Sequence, residues 1–175
     1  MTPADLQAML AIADVVHPNY PEDSAVFVER LALYPDGCLV LIRDGRPVGY
    51  IVSHPWTYAQ PPALNSLLGT LPVPPTTYYI HDIALLPDAR GTGGANAVVT
   101  RLIAQAGALG VDNTSLVAVN DSVAFWTRHG FRVVPDAALD NKLRSYDADA
   151  RFMVRDHSTG RAPARPPAHG RDPIG

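Results

Sequence analysis

Cysteine occurs once in this 175-residue chain, at Cys38, so no internal disulfide can form and a reducing compartment is expected. Cys38 opens the apolar, strand-like run Cys38-Leu39-Val40-Leu41-Ile42, which reads it as a buried structural thiol rather than a nucleophile. Lysine also occurs once, at Lys142, and the formal charge is only −3, so the chain lacks the basic footprint of a nucleic-acid binder. No apolar run approaches the roughly 18 residues that would span a bilayer, which argues against a membrane partner. The opening Met1-Thr2-Pro3-Ala4-Asp5 has no basic stretch leading into an apolar one, so the expected location is the cytoplasm. What is present, 47% hydrophobic and 18% charged residues, is ordinary for a folded domain, and the length suits one domain with its own core.

Helical spacing appears first. Thr2 can cap a helix that Pro3 and Asp5 favour at its start, and Leu6, Met9, Leu10, Ala13 and Val16 recur on one side until His17-Pro18. Ser24 can cap a second, with Phe27, Val28 and Leu31 on its apolar side. Residues 38–42 and 47–52 read as strands joined through Asp44-Gly45, a hairpin signal because both turn residues tolerate positive φ. Residues 54–75 carry Pro55, Pro61, Pro62, Pro72, Pro74 and Pro75, which forbid regular structure beyond a helical turn over 64–68. A loop of that length inside a domain is often functional; a plain surface insertion is the alternative. A central strand over 78–85, a helix over 95–109, a strand over 115–119 and a short helix ending at Gly130 follow. Two further strands are expected at 132–134 and 151–154, separated by a polar connection. From His157 onward Gly, Pro, Arg and Ala replace periodicity, so 1–156 is expected to be the domain and 157–175 a disordered tail. The order of elements describes one mixed α/β domain rather than an evenly alternating parallel one.

Between the strand over 78–85 and the next helix lies Arg90-Gly91-Thr92-Gly93-Gly94-Ala95. Free backbone N–H groups at such a helix start, with the helix dipole behind them, suit a pyrophosphate. Glycines let the backbone approach the anion closely, and Arg90 adds a charge able to contact phosphate oxygens. A Walker loop would need a lysine here, and there is none. A dinucleotide fingerprint started at Gly91 would place Asn96 where a small residue belongs. Asp112, about 20 residues on, precedes the next strand instead of ending it, so it cannot serve as the ribose acid.

The hexapeptide resembles the Q/R-x-x-G-x-G/A signature of the GNAT (Gcn5-related N-acetyltransferase) superfamily. The lead-in Leu86-Pro87-Asp88 is similar to that family's, as is the downstream run of Asn120 followed by Phe125-Trp126-Thr127-Arg128-His129-Gly130-Phe131. The resemblance is specific over 78–134. It implies a single GNAT-like domain whose mixed central sheet carries a splayed pair of parallel strands, with helices on both faces. It departs at the start, where the family's opening strand is short or missing.

For chemistry, the resemblance implies acetyl-CoA as co-substrate, no metal, and direct attack by a small-molecule or peptide amine. Members of the family often form homodimers. Arg90, Gly91, Thr92, Gly93, Gly94 and Ala95 would hold the pyrophosphate, and Ile83, Ala84 and Leu85 would lie along pantetheine. Backbone groups of Ile83 and Leu85 would pair with its amides, and the Leu85 N–H would face the developing oxyanion. Asn120 would bond the same arm and Phe125 would pack beside it. A base is needed, and His81 is the first candidate because imidazole titrates near neutrality. Strict alternation would set Tyr79, His81, Ile83 and Leu85 on one face, and Asp82 with Ala84 on the other. Asp82 is second, as base, amine anchor or structural carboxylate. Where the family often carries a general-acid tyrosine this chain has Trp126, so either the thiolate leaves without that acid or Ser122 or Tyr79 protonates the sulfur. Failing that, the chain would be a non-catalytic acyl-CoA-binding regulatory module. Tyr20, Glu22, Trp56 and Tyr58 are the residues expected near the acceptor.

Overall fold

The computed structural model describes residues 1–144, 147 and 149–157. Its first helical turn is pinned by Asp5, whose Oδ2 accepts from the Thr2 N–H at 2.7 Å and the Thr2 hydroxyl at 2.9 Å. Helix α1 then spans Leu6–Val16, and α2 spans Ser24–Leu33. Their apolar sides bury Met9, Ile12, Phe27 and Leu31 against Tyr50, Val52 and Ala84 of the sheet. Each such side chain contributes about 1.5–3 kcal/mol of transfer free energy.

The sheet contains β1 (Cys38–Arg43), β2 (Arg46–Trp56), β3 (Thr77–Leu85), β4 (Asn113–Ala118), β5 (Arg132–Val133) and β6 (Arg151–Asp156), in the order β1-β2-β3-β4-β6-β5. Every neighbouring pair is antiparallel except β3 and β4. The crossover between those two strands contains α3 (Gly94–Ala108), which covers the face opposite α1 and α2. There Val99, Leu102 and Ala106 meet Ile51, Tyr78, Ile80 and Leu116. This is the expected α/β domain with a mixed sheet and helices on both faces. The short α4 (Val123–Arg128) follows β4, and α5 (Ala137–Leu143) follows β5.

The hairpin forms as expected, with Asp44 at φ 50° and Gly45 at φ 74°. Strand β2 runs further than expected, through His54 and Pro55 to Trp56. Pro55 is tolerated because β1 pairs with β2 no further than Val52, so no strand on that side asks for its missing N–H. The connection expected to be only polar holds α5, whose start is capped by Asp136 Oδ1 accepting from the N–H groups of Ala138 and Leu139, both at 3.0 Å. No strand precedes α1. β1 is the sheet edge, and the Met1 ammonium donates to the Cys38 carbonyl at 2.9 Å. Cys38 itself is buried, which pushes its thiol up to about 11. His157, expected to open the tail, is tied to the domain by its N–H donating to Asp112 O at 2.8 Å. The rest of that expected tail, 158–175, lies outside the described residues.

Candidate active site

Parallel pairing of β3 with β4 stops early. Tyr78 meets Thr114, Tyr79 meets Ser115 and Ile80 meets Leu116; beyond them the strands diverge. A cleft of about 730 Å³ opens there, running to the start of α3. Leu86 N–H donates to Val48 O on β2 at 2.9 Å. By strand alternation the Leu85 N–H therefore points the other way, into the cleft.

The β2–β3 pairing contains a bulge that redirects two candidate residues. It runs from Gly49 opposite Leu85 to Val52 opposite Asp82, then resumes with Ser53 opposite Ile80, leaving His81 as the extra residue. Ile80 and Ile83 both pack on the α3 face, whereas Ala84 packs on the α1–α2 face. His81 and Asp82 reach partners on the α1–α2 connection, Glu22 and His17 respectively. The alternation expected from sequence is thus corrected: Ile83 does not share a face with His81, and Asp82 does.

At the other end the glycine loop turns into α3. Gly91 (φ 75°) and Gly93 (φ 88°) occupy the left-handed region, and a Cβ at either would meet nothing within 4 Å. Their requirement is conformational, and the space before them is open to a ligand. Gly94 serves packing instead, since a Cβ there would come 2.9 Å from Leu41 Cδ2. Arg90, Gly91, Gly93, Gly94 and Ala95 line the cleft, as do Ile83, Leu85, Asn120 and Phe125. Two expected contacts do not. Thr92 turns its hydroxyl back to Ala89 O at 2.8 Å, and Ala84 is fully buried under α1 and α2. Open glycines, helix start and diverging strand edges fit a phosphorylated, extended cofactor such as CoA. Arg128, which lies in the run after Asn120 but was given no role there, also lines the cleft.

Ser122 lines the cleft too, and its hydroxyl makes no capping bond to α4. Trp126 is 4% exposed and stacks edge-on with Phe125 and Phe131 at 5.0 and 5.3 Å, so its ring belongs to the core. Tyr79 lies outside this cleft and lines a recess beyond His81.

Two acid–histidine pairs stand where cleft and recess meet. His81 Nε2 lies 2.9 Å from Glu22 Oε2, and the Asn65 N–H donates to Glu22 Oε1 at 2.9 Å. Burial would raise the Glu22 carboxyl, but the His81 and Asn65 contacts outweigh it and hold it below its ordinary value. His17 Nε2 lies 2.9 Å from Asp82 Oδ1, a close ion-pair contact rather than an aligned hydrogen bond. The Tyr50 hydroxyl donates to Asp82 Oδ2. Burial lowers the His17 imidazole and Asp82 more than restores it, so the net shift is upward. Asp82 is held low in turn: burial opposes ionisation, and His17 and Tyr50 overcome it. Behind them His54 is pushed down to about 3 by burial and donates from Nδ1 to Pro55 O at 3.0 Å, so it stays neutral. Sequence reasoning had placed Glu22 near the acceptor, but not as the partner of His81, and it had missed Tyr50 altogether.

The recess, about 110 Å³, is walled by Pro62, Leu64, Tyr79, Val117, Val119 and Leu143. Pro62 and Leu64 come from the proline-rich insertion, which is fastened to α2. Glu29 accepts from the N–H groups of Leu68 and Gly69 at 2.8 and 2.9 Å, and the buried Arg30 donates to Ser66 O at 2.8 Å. The insertion has a place at the site, unlike a plain surface loop. Trp56 and Tyr58 have other duties: Trp56 Nε1 donates to Gln60 O, and Tyr58 packs on Phe152. Among the described residues there is no group of three or more His, Cys, Asp or Glu side chains that could hold a metal, and no helix long and apolar enough to cross a membrane.

Residues 6–131 match the acetyltransferase (GNAT) family. No curated protein matches the chain significantly. Among solved structures, the chain is similar to the GphF GNAT-like decarboxylase in complex with isobutyryl-CoA, with a TM-score of 0.74 and 18% identity over 89% of this chain and 96% of that one. It is also similar to Chaetomium thermophilum Naa20 in complex with a bisubstrate analogue, with a TM-score of 0.64 and 20% identity over 89% and 84%. The loading GNATL domain of CurA from Lyngbya majuscula gives 0.70 and 13% over 87% and 93%. At these identities the likeness is one of fold.

Proposed function

Because the chain belongs to the GNAT acetyltransferase family, we propose that it is an N-acetyltransferase moving an acetyl group from acetyl-CoA to the primary amine of a small molecule or peptide, in the cytoplasm. The observation that carries this reading is the continuity of one cleft from the start of α3 to the His81–Glu22 pair. The N–H groups at Gly93 and Gly94 and the cations Arg90 and Arg128 would meet the phosphates. The splayed edge of β3 would receive pantetheine, and the Leu85 N–H would face the thioester oxygen as it gains charge.

The amine nitrogen attacks the thioester carbonyl carbon; a C–N bond forms, the C–S bond breaks, and the sulfur leaves with the electron pair. One proton must go from nitrogen to a base. With Nε2–H of His81 donating to Glu22, the ring's lone pair is on Nδ1, and that nitrogen takes the proton. Asp82 is occupied by His17 and Tyr50, which makes it an anchor for the site rather than the base. Ser122, which lines the cleft, would protonate the sulfur, with solvent as its substitute.

Thiol release from acetyl-CoA across a panel of amines tests this reading. Amine-dependent release is expected. Trp126 favours a second reading, a non-catalytic acyl-CoA-binding module, because a core indole stands where an acid would help. Tight CoA binding without release on any amine would establish that alternative. Loss of CO₂ from a carboxylated acyl-CoA without any amine would overturn both.

A further inference from the structure

The depressions around the α1–α2 connection share one chemistry. The recess beyond His81 has apolar walls and presents Glu22 and Asp82 at the end nearest the cleft, with neither lysine nor arginine among its lining residues. The adjoining depression at its mouth is lined by Asn19, Tyr20, Asn120, Asp121, Asp147 and Asp149; no cation lines it, and Arg151 Nη2 stands 3.9 Å from Asp149 Oδ1, so among the described residues three carboxylates face at most one cation. On the helix side, the neighbouring hollow adds Asp14 and no basic residue but His17. A cation is drawn inward by such a field, and a carboxylate is repelled. His17 pairs with Asp82 and offsets that one charge, which leaves Glu22, Asp14, Asp121 and Asp147 to set the sign of the field.

Size narrows the occupant further. At about 110 Å³ the recess is smaller than the roughly 150 Å³ cavity that takes benzene in an engineered protein core. Its outer edge is bridged by the Tyr20 hydroxyl donating to Asp147 Oδ2, which ties the α1–α2 connection to the segment before β6. Tyr20 is raised to about 12, first by burial and then by Asp147, so it keeps this proton at any ordinary pH. A polypeptide leaving the recess past Tyr20 and Asp147 would have to break this bond.

We propose that the acceptor is a compact, apolar primary monoamine without a carboxylate, its hydrocarbon body against Leu64, Val119 and Leu143 and its nitrogen beside His81. The assignment rests on the acetyltransferase reading. It excludes free amino acids on charge and peptide N-termini on access.

Thiol release should be compared for short-chain and cyclic alkylamines, the same skeletons bearing an α-carboxylate, and short peptides with free N-termini. The apolar amines should exceed their carboxylated partners by roughly 100-fold in kcat/KM. Leu64→Phe, which fills the recess from the insertion, should lower kcat/KM for the largest accepted amine by about tenfold and leave acetyl-CoA affinity unchanged. Tyr20→Phe should admit peptides better than the wild type does. Preference for amino acids or peptides, or indifference to Leu64→Phe, would overturn the assignment while leaving the acetyltransferase reading intact. If no amine is turned over, that reading falls. The acceptor role falls with it, and calorimetric binding of the alkylamines to the CoA-loaded protein then tests only the recess as an amine site: binding weakened by Leu64→Phe upholds that site, and no binding overturns it.

Discussion

The two ends of the cleft are built by opposite means. At the end proposed for the phosphates a ligand would be met by backbone: two glycines with positive φ, the first N–H groups of α3 and the free edge of β3. At the end proposed for the acceptor it would be met by side chains brought from distant segments, His81 with Glu22 59 residues away, and Asp82 with His17 and Tyr50. A backbone site is specified within one short stretch of chain and tolerates few residue types. A side-chain site depends on the whole fold and can be retuned by one wall.

The largest effect should come from Gly93→Glu, which attacks the backbone end. The left-handed conformation would strain any residue with a Cβ by about 1–2 kcal/mol, and the new carboxylate would stand where the phosphates belong. CoA affinity measured by calorimetry should fall roughly 1,000-fold, with the melting transition still cooperative. Gly93→Asn, better tolerated in that conformation, should lose much less. Equal losses would mean that the turn matters and the charge does not.

The side-chain end should give a smaller, different signature. His81→Gln keeps a donor for Glu22 but removes the nitrogen proposed to take the proton, so kcat should fall about 100-fold with KM for acetyl-CoA unchanged. The rise of rate with pH should also disappear. Survival of that rise would move the base elsewhere, with Asp82 the next residue to test.

The same division explains what could be read from the chain alone. Arg90 to Ala95, the Asp44-Gly45 turn and the buried strand of Cys38 are local patterns whose residue types answer local needs, and the fold follows from them. The bulge at His81 is a property of the register between β2 and β3, which no single strand reveals. Alternation therefore put His81 and Asp82 on opposite faces. The insertion's place at the recess depends on Glu29 and Arg30 of α2 holding Leu68, Gly69 and Ser66, contacts between segments with no sequence pattern in common. Helix α5 was hidden because its seven residues, Ala137–Leu143, bury only Leu139 and Leu143, too few to show a period.

The smallest effect concerns Asp82, where geometry predicts anchoring rather than catalysis. The His17 and Asp82 side chains are 15% and 17% exposed, shielded enough for a measurable contribution, and Asp82→Asn should cost about 2 kcal/mol of stability. The pH dependence is specific. Asp82 is held below the ordinary carboxyl value of 3.8, so its contribution is complete above that value and lost as pH falls through the lower folded one. His17 is raised above the ordinary imidazole value of 6.5, so its contribution is complete below that value and lost as pH rises through the higher folded one. The stability difference between wild type and Asp82→Asn, from urea unfolding, should therefore be greatest between these two values and shrink on either side. A difference that stayed constant well above 6.5 would show that His17 is not the protonated partner, and the acceptor end would then carry more negative charge than the paired arrangement implies.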